Sequence, residues 1–292
     1  MQTVAYKTAG GSPILADVYL PQTDRPHPVL LWIHGGALIV GSRDGIHPAQ
    51  RDQYLEGGYA LISIDYRLAP EAKLPAILED LQDAVAWIRE QGPRQFRIDP
   101  DRLAVIGHSA GGYLTLLSGY CVEPRPRALV SFYGYGDIAG AWYSQPDPFY
   151  NRFPPVDRGA AYATVGGKIR SHTDAAESAA RHRFYLYCRQ QGLWPHEVTG
   201  HNPHTELAAF APLCPLRNVS AAYPPTLLLH GDQDTDVPYE QSVLMAQALE
   251  CAGVEHDLVT YAGGPHGFDY SMEDPIVVAQ FARVLSFLSR YV

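Results

Sequence analysis

Apolar and polar residues alternate through Thr3–Thr8 and again through Ile14–Leu20, on either side of Gly10-Gly-Ser-Pro13. A period of two predicts a β-hairpin at the start of a sheet. The pattern then changes. Val29–Ile33, Ala60–Ile64, Leu103–Ile106 and Ala128–Phe132 are nearly unbroken apolar runs, as expected of strands covered on both faces. Ile77, Leu81, Ala84, Val85 and Ile88 recur at helical spacing until Gly92-Pro93, and another apolar helical run begins just past Gly112. Toward the C-terminus the alternation is strand Thr226–Leu229, helix Tyr239–Cys251, strand Asp257–Tyr261, helix Pro275–Tyr291. This order predicts an α/β fold, a mostly parallel sheet with helices on both faces.

Between Gly134 and about Ala222 the rhythm breaks. Pro, Gly, His and aromatic residues crowd together there, with one clear helical piece at about Thr173–Gln190. A structureless loop of that length is foreign to a compact domain, and its aromatic content is foreign to a disordered linker. The expected division is a core of residues 1–133 and 223–292, with 134–222 inserted as a cap over the strand ends.

Chemistry collects where predicted strands end. Leu103–Ile106 runs into Gly107-His-Ser-Ala-Gly111, a strand–turn–helix in which small neighbours let a strained Ser109 lift its Oγ clear of the sheet. The amide of Ala110, at the helix N-terminus, points to where an oxyanion would form. Val29–Ile33 runs into His34-Gly35-Gly36-Ala37, whose successive amides are further donors for that oxyanion. Thr226–Leu229 ends in a loop holding Asp232, Asp234 and Asp236, and the last strand is followed by Gly263-Gly-Pro-His266-Gly-Phe. Ser109 needs a base, His266 can serve, and a buried carboxylate would fix its tautomer. By position, Asp232 suits the turn's own amides, Asp236 a cap for the helix launched by Pro238, and Asp234 the reach toward His266.

His34-Gly-Gly, Asp65-Tyr-Arg-Leu-Ala-Pro-Glu71, Gly107-His-Ser-Ala-Gly-Gly112, Asp234 and His266 together resemble the α/β-hydrolase superfamily, and within it the carboxylesterase/lipase group related to hormone-sensitive lipase. The resemblance covers most of residues 29–134 and 223–292. It implies a Ser109–Asp234–His266 triad, with Gly231-x-x-Asp234-x-x-Val-Pro matching the superfamily spacing, and an oxyanion hole drawn from Gly35, Gly36, Ala37 and Ala110. It makes Asp65 and Glu71 structural or loop-anchoring. Two departures stand out: Ala37 replaces the usual third glycine, narrowing the acyl side, and the chain opens on strand pattern rather than on the group's N-terminal cap helices.

Composition narrows the partners. A net charge of −9 with no basic cluster argues against nucleic acid and anionic membranes. No apolar run approaches the roughly 20 residues of a membrane span, and no secretory signal pattern opens the chain. The cysteines, Cys121, Cys188, Cys214 and Cys251, are widely spaced, which suits reduced thiols in a cytoplasmic protein. Trp142 and Tyr143 are candidates to line an acyl or alcohol pocket, the alternative being that the aromatic residues form the cap's own core. His201 and His204 could bind metal, with lid polarity as the default, since the chemistry assembled above needs neither metal nor cofactor. His108 and His230 read as packed histidines.

The expected activity is a serine ester hydrolase acting on a small-molecule ester, with short acyl chains of about two to six carbons preferred. Alternatives are an amide or peptide hydrolase of the same fold and a non-catalytic ligand-binding relative. A homodimer is left open.

Overall fold

A computed structural model describes all 292 residues. Eight strands form one sheet in the order β1-β2-β4-β3-β5-β6-β7-β8. They are β1 (Gln2–Ala9), β2 (Ser12–Tyr19), β3 (His27–Ile33), β4 (Ala60–Ile64), β5 (Ile98–His108), β6 (Ala128–Phe132), β7 (Thr226–Gly231) and β8 (His256–Tyr261). The β1–β2 hairpin pairs antiparallel and meets β4 antiparallel; every pairing from β4 to β8 is parallel. The fold is the expected α/β class.

Seven helices matter for the site: α1 (Pro48–Glu56), α2 (Leu74–Glu90), α3 (Ala110–Cys121), α4 (Ala175–Gln191), α5 (Trp194–Thr199), α6 (Glu240–Cys251) and α7 (Pro275–Tyr291). Their apolar positions sort them onto the two faces of the sheet. Val277, Phe281, Val284 and Leu288 lie on one side of α7 and pack with Tyr54 of α1 against Leu30, Trp32, Ala104, Ile106 and Val130. Truncating a buried phenylalanine such as Phe281 to alanine costs about 3–5 kcal/mol in a core of this kind. On the other face, α2, α3 and α6 bury Ile77, Leu81, Leu114, Leu117, Met245 and Leu249 against Val29, Leu31 and Val105.

Residues 134–222 join this second face. Phe184, Tyr185, Cys188, Trp194 and Val198 belong to the same continuous core as β3 and β5. The helix expected at about Thr173–Gln190 is α4, opened by a capping box of Asp174 and Glu177 and closed by Gly192 at φ 69°. Two buried arginines fasten α4. Arg181 pairs with Glu71 at 2.7 Å, both side chains nearly inaccessible, and donates to the carbonyls of Ile39 and Ala69. Arg189 joins Asp147 to Asp236. All four cysteines are free thiols, and no helix is long and apolar enough to cross a membrane.

Candidate active site

β5 ends at His108, Ser109 follows at φ 56°, and α3 begins at Ala110. A residue with a side chain in the left-handed region costs of order 1–3 kcal/mol and persists only where the surroundings hold it. Here the Ser109 amide donates to the Phe132 carbonyl at 2.9 Å, and the Ser109 carbonyl receives the Tyr113 amide. Flanking glycines permit the tight turn: a Cβ on Gly107 would lie 2.2 Å from the Gly111 carbonyl oxygen, and one on Gly111 2.0 Å from that of Ile33.

His266 sits in the loop after β8. Its Nε2 is 3.1 Å from Ser109 Oγ and its Nδ1 is 2.7 Å from Asp234 Oδ2. The Asp234 side chain is inaccessible to solvent. Its Oδ1 accepts the amides of Asp236 and Val237 at 2.8 and 2.9 Å, and its Oδ2 also lies 3.2 Å from His230 Nε2. Burial alone would raise its pKa, but the His230, His266 and amide hydrogen bonds outweigh that and hold the carboxyl far below its ordinary range. For His266, burial disfavours the imidazolium, while the Asp234 bond and the charges of Asp236 and Asp234 overcome it, so its pKa is raised. The other two loop aspartates do different work. Asp232 accepts the Gly263 amide at 2.7 Å. Asp236 does not cap a helix: the first turn of α6 follows Tyr239, with no side-chain cap.

The His34–Ala37 loop lies beside the elbow. An added Cβ on Gly35 would come within 2.8 Å of the His108 carbonyl oxygen. None of the Gly35, Gly36 and Ala37 amides donates to another group of the chain, and Ala110 opens α3, where an amide has no carbonyl one turn earlier to bond. Gly36, Ala37 and Leu38 take φ of 100°, 55° and 61°. Residues 134–222 support this conformation: Trp194 Nε1 donates to the Ala37 carbonyl at 2.9 Å, and Gly41 N to Thr173 Oγ1 at 2.9 Å. His34 is stacked on Tyr66 and bonded through Nδ1 to the Gly35 carbonyl at 2.7 Å; burial lowers its pKa to about 4, leaving it neutral.

A cavity of about 360 Å³ opens over Ser109. Ser109, His266, Gly35, Gly36 and Ala37 line it; Ala110 and Asp234 lie behind the lining. Trp142 and Tyr143 do not reach it, which corrects their expected role. Tyr143 is buried, stacked on Trp194 at 4.0 Å between ring centres, and the Trp142 indole donates to the Asp137 carbonyl. Tyr143 is core, and Trp142 packs against it half-buried. The lining from 134–222 is instead Tyr150, His182 and Tyr185, joined by Asp236. His182 and Tyr185, spaced i and i+3 within the expected helix, shared a face that sequence could have offered. His201 and His204 turn to Glu206 and to the Ser144 carbonyl, each at 3.1 Å, and no three His, Cys, Asp or Glu side chains converge as a metal site requires.

A further cluster lies beneath the elbow. His108 Nδ1 is 2.8 Å from Asp269 Oδ2, and Asp269 also accepts Gln50 Nε2 at 2.7 Å and the Tyr133 hydroxyl. Asp269 is wholly buried; burial would raise its pKa, but these partners overcome that and lower it. His108 is packed as expected, while Asp269, far along the chain, carried no sequence signal.

Comparison with known proteins fits this geometry. Residues 16–138 match the BD-FAE family and residues 178–292 the prolyl oligopeptidase family. A non-reducing polyketide synthase of Aspergillus calidoustus is 30% identical over 94% of this chain, and that match takes up 13% of the synthase's own length. The chain thus spans about an eighth of the curated relatives it matches first. Among solved structures, an α/β-hydrolase superfamily protein from Enterococcus faecalis superposes with a TM-score of 0.75 at 24% identity, covering 95% of this chain and 96% of that one. An esterase from Pyrobaculum calidifontis does so with a TM-score of 0.71 at 22% identity, covering 98% and 84%. An eight-stranded sheet with these neighbours, two family models that match different parts of the sequence, and a serine held to a histidine at a strand–helix turn agree on the architecture: the chain has the α/β-hydrolase fold.

Proposed function

We propose that this chain is a carboxylic-ester hydrolase for small to medium acyl esters, working through Ser109, His266 and Asp234. The observation that carries the reading is the continuous hydrogen-bonded line from Ser109 Oγ through His266 to Asp234 under an open cavity. Ser109 Oγ attacks the ester carbonyl carbon while His266 Nε2 takes its proton. The carbonyl oxygen becomes an oxyanion facing the amides of Gly36, Ala37 and Ala110, with Gly35 completing the loop. His266 returns the proton to the alkoxy oxygen as the carbon–oxygen bond breaks, and the alcohol leaves. Water, deprotonated by His266, then attacks the acyl-enzyme and releases the acid and Ser109. Asp234 fixes the tautomer and stabilises the imidazolium.

A cavity of about 360 Å³ suits a short acyl chain with a modest alcohol. A second reading, cleavage of an amide, draws on the match of residues 178–292 to the prolyl oligopeptidase family. The similarity to polyketide synthases adds a polyketide acyl group as a candidate for what Ser109 carries. Steady-state turnover of p-nitrophenyl acetate, an aminoacyl p-nitroanilide and a β-ketoacyl thioester separates these readings. Ester cleavage with phosphonate labelling of Ser109 supports the proposal. Labelling at another serine, or saturable binding without turnover, rejects it.

A further inference from the structure

Asp236 is the one carboxylate in the cavity, whose lining contains no Lys, Arg or Glu. Its two oxygens are used unequally. Oδ1 accepts from Tyr150 Oη at 2.8 Å, from Arg189 Nη1 at 2.7 Å and from the Tyr185 hydroxyl. Arg189 is itself nearly inaccessible and anchored on its other side by Asp147. Oδ2 receives no hydrogen bond from the chain. It lies 3.6 Å from His266 Nε2, and the Asp236 side chain keeps 20% of its exposure. The carboxylate is therefore clamped through one oxygen while the other faces the reaction space beside the nitrogen that handles the proton.

From this geometry we infer that Asp236 Oδ2 is a specificity subsite for the alcohol half of the ester, accepting a hydrogen bond from a hydroxyl on the carbon next to the one bearing the leaving oxygen. The inference rests on the ester-hydrolase reading and names its substrate class: partial esters of vicinal diols and polyols. The chemistry follows from placement. His266 Nε2–H must point at the leaving oxygen when the carbon–oxygen bond breaks. A hydroxyl one carbon away sits within hydrogen-bond reach of that oxygen, as Oδ2 sits close to Nε2. A neutral donor meeting a fixed carboxylate makes a charge-assisted bond. An alcohol bearing its own carboxylate would set a second anion beside Oδ2, where Arg189 is already shared between Asp236 and Asp147 and the lining holds no Lys or Arg to take the added charge. Because the Asp236 side chain remains partly exposed and Oδ2 has no donor from the chain, water can replace a missing donor, which limits the selectivity to about tenfold rather than the far larger factors of sealed polar sites.

Matched esters test this: 2-hydroxyethyl butyrate, 2-methoxyethyl butyrate, which lacks the donor, and carboxymethyl butyrate, which adds an anion. The wild-type protein is expected to show a kcat/KM ratio of about ten for hydroxyethyl over methoxyethyl, and its slowest turnover on the carboxymethyl ester. Asp236→Asn is the diagnostic variant. The three donors around Oδ1 require the amide oxygen there, which turns the amide NH2 into the cavity and replaces an acceptor by a donor. The hydroxyethyl preference should fall to about one or invert, and the gap to the carboxymethyl ester should narrow. Both readouts are ratios, so a loss of folded enzyme does not move them, and the wild-type ratio stands without any variant. A wild-type ratio near one, or a ratio of ten that survives Asp236→Asn, overturns the subsite while leaving the ester hydrolase intact. No turnover of any ester, with Ser109 unlabelled by phosphonate, overturns the hydrolase reading and the subsite with it.

Discussion

Two histidines adjoin Ser109, each bonded through Nδ1 to a buried aspartate, and they differ in what the second nitrogen meets. His266 Nε2 looks across 3.1 Å to Ser109 Oγ, and its side chain retains 25% of its exposure. His108 Nε2 is buried without a partner, and its side chain is 2% exposed, stacked flat on Phe132 at 4.5 Å. Residue types and first bonds are nearly the same. The separation comes from backbone direction: His108 is the last residue of β5, so its side chain packs among α7-face aromatics while the elbow turns Ser109 the other way. On the proposed mechanism, a histidine–carboxylate pair works as a base only where the free nitrogen reaches both a nucleophile and a cavity. The buried copy ties the elbow to Asp269, three residues beyond His266, and through Gln50 to α1.

The comparison is broken most directly at the carboxylates. Asp234→Asn should keep the fold and lower kcat by a factor on the order of 10⁴, because the amide favours the wrong imidazole tautomer. Asp269→Asn should cost less than about tenfold in kcat, since His108 is off the proton path. Steady-state kinetics on p-nitrophenyl acetate compares the two; equal losses would erase the distinction.

Stability should follow the opposite order. Asp269→Ala leaves Gln50 Nε2, the Tyr133 hydroxyl and His108 Nδ1 facing a buried site without their acceptor. The expected loss is about 2–5 kcal/mol, read as a lower urea midpoint at unchanged slope. A variant as stable as the parent would show that the inner pair holds nothing.

The pH dependence sharpens the contrast within the outer pair. The raised pKa of His266 places the acidic limb of kcat/KM above the ordinary imidazole value of about 6.5, with activity rising as the ring loses its proton. For stability the signs differ. The His266 contribution is complete below about 6.5 and is lost as pH rises through the folded-state pKa; that of Asp234, whose pKa is depressed, is complete above about 3.9 and is lost as pH falls through its folded-state value. The pair should therefore stabilise most at mildly acid pH, where turnover is low. Coincident optima for melting temperature and kcat/KM would contradict the assignment of the base.

The outer pair was legible in sequence because each member ends a locally readable unit. An apolar strand, a small-residue turn and a helix put Ser109, Asp234 and His266 at strand ends without any knowledge of packing. The inner pair was not, since only the assembled fold brings Asp269 under His108. Asp236 misled for a related reason. Its place before Val237-Pro238 suits a helix cap, but Arg189, Tyr150 and Tyr185 arrive from 134–222 and take the carboxylate instead. Trp142 and Tyr143 failed as pocket residues because aromatic composition says nothing about direction, and Trp194 stacks on Tyr143 from within the core.

Tyr133 supplies the finest test, for it touches both pairs. Its ring centre lies 4.5 Å from that of His266, its hydroxyl donates to Asp269, and its φ of 37° is held by a hydrogen bond from its amide to the Leu229 carbonyl at 2.7 Å. Tyr133→Phe keeps the ring against His266 and removes only the hydroxyl. Asp269 then keeps Gln50 and His108 as donors, so the stability loss should be about 1–2 kcal/mol. A double-mutant cycle with Asp269→Asn should give a coupling of about 1 kcal/mol, because both changes act on one hydrogen bond. The cycle with Asp234→Asn should be additive within about 0.5 kcal/mol, since no hydrogen bond joins Tyr133 to Asp234 and the ring contact with His266 survives. Strong coupling in the second cycle would make the two pairs one network transmitted through the Tyr133 ring, and the division between a working pair and a holding pair would fail at that residue.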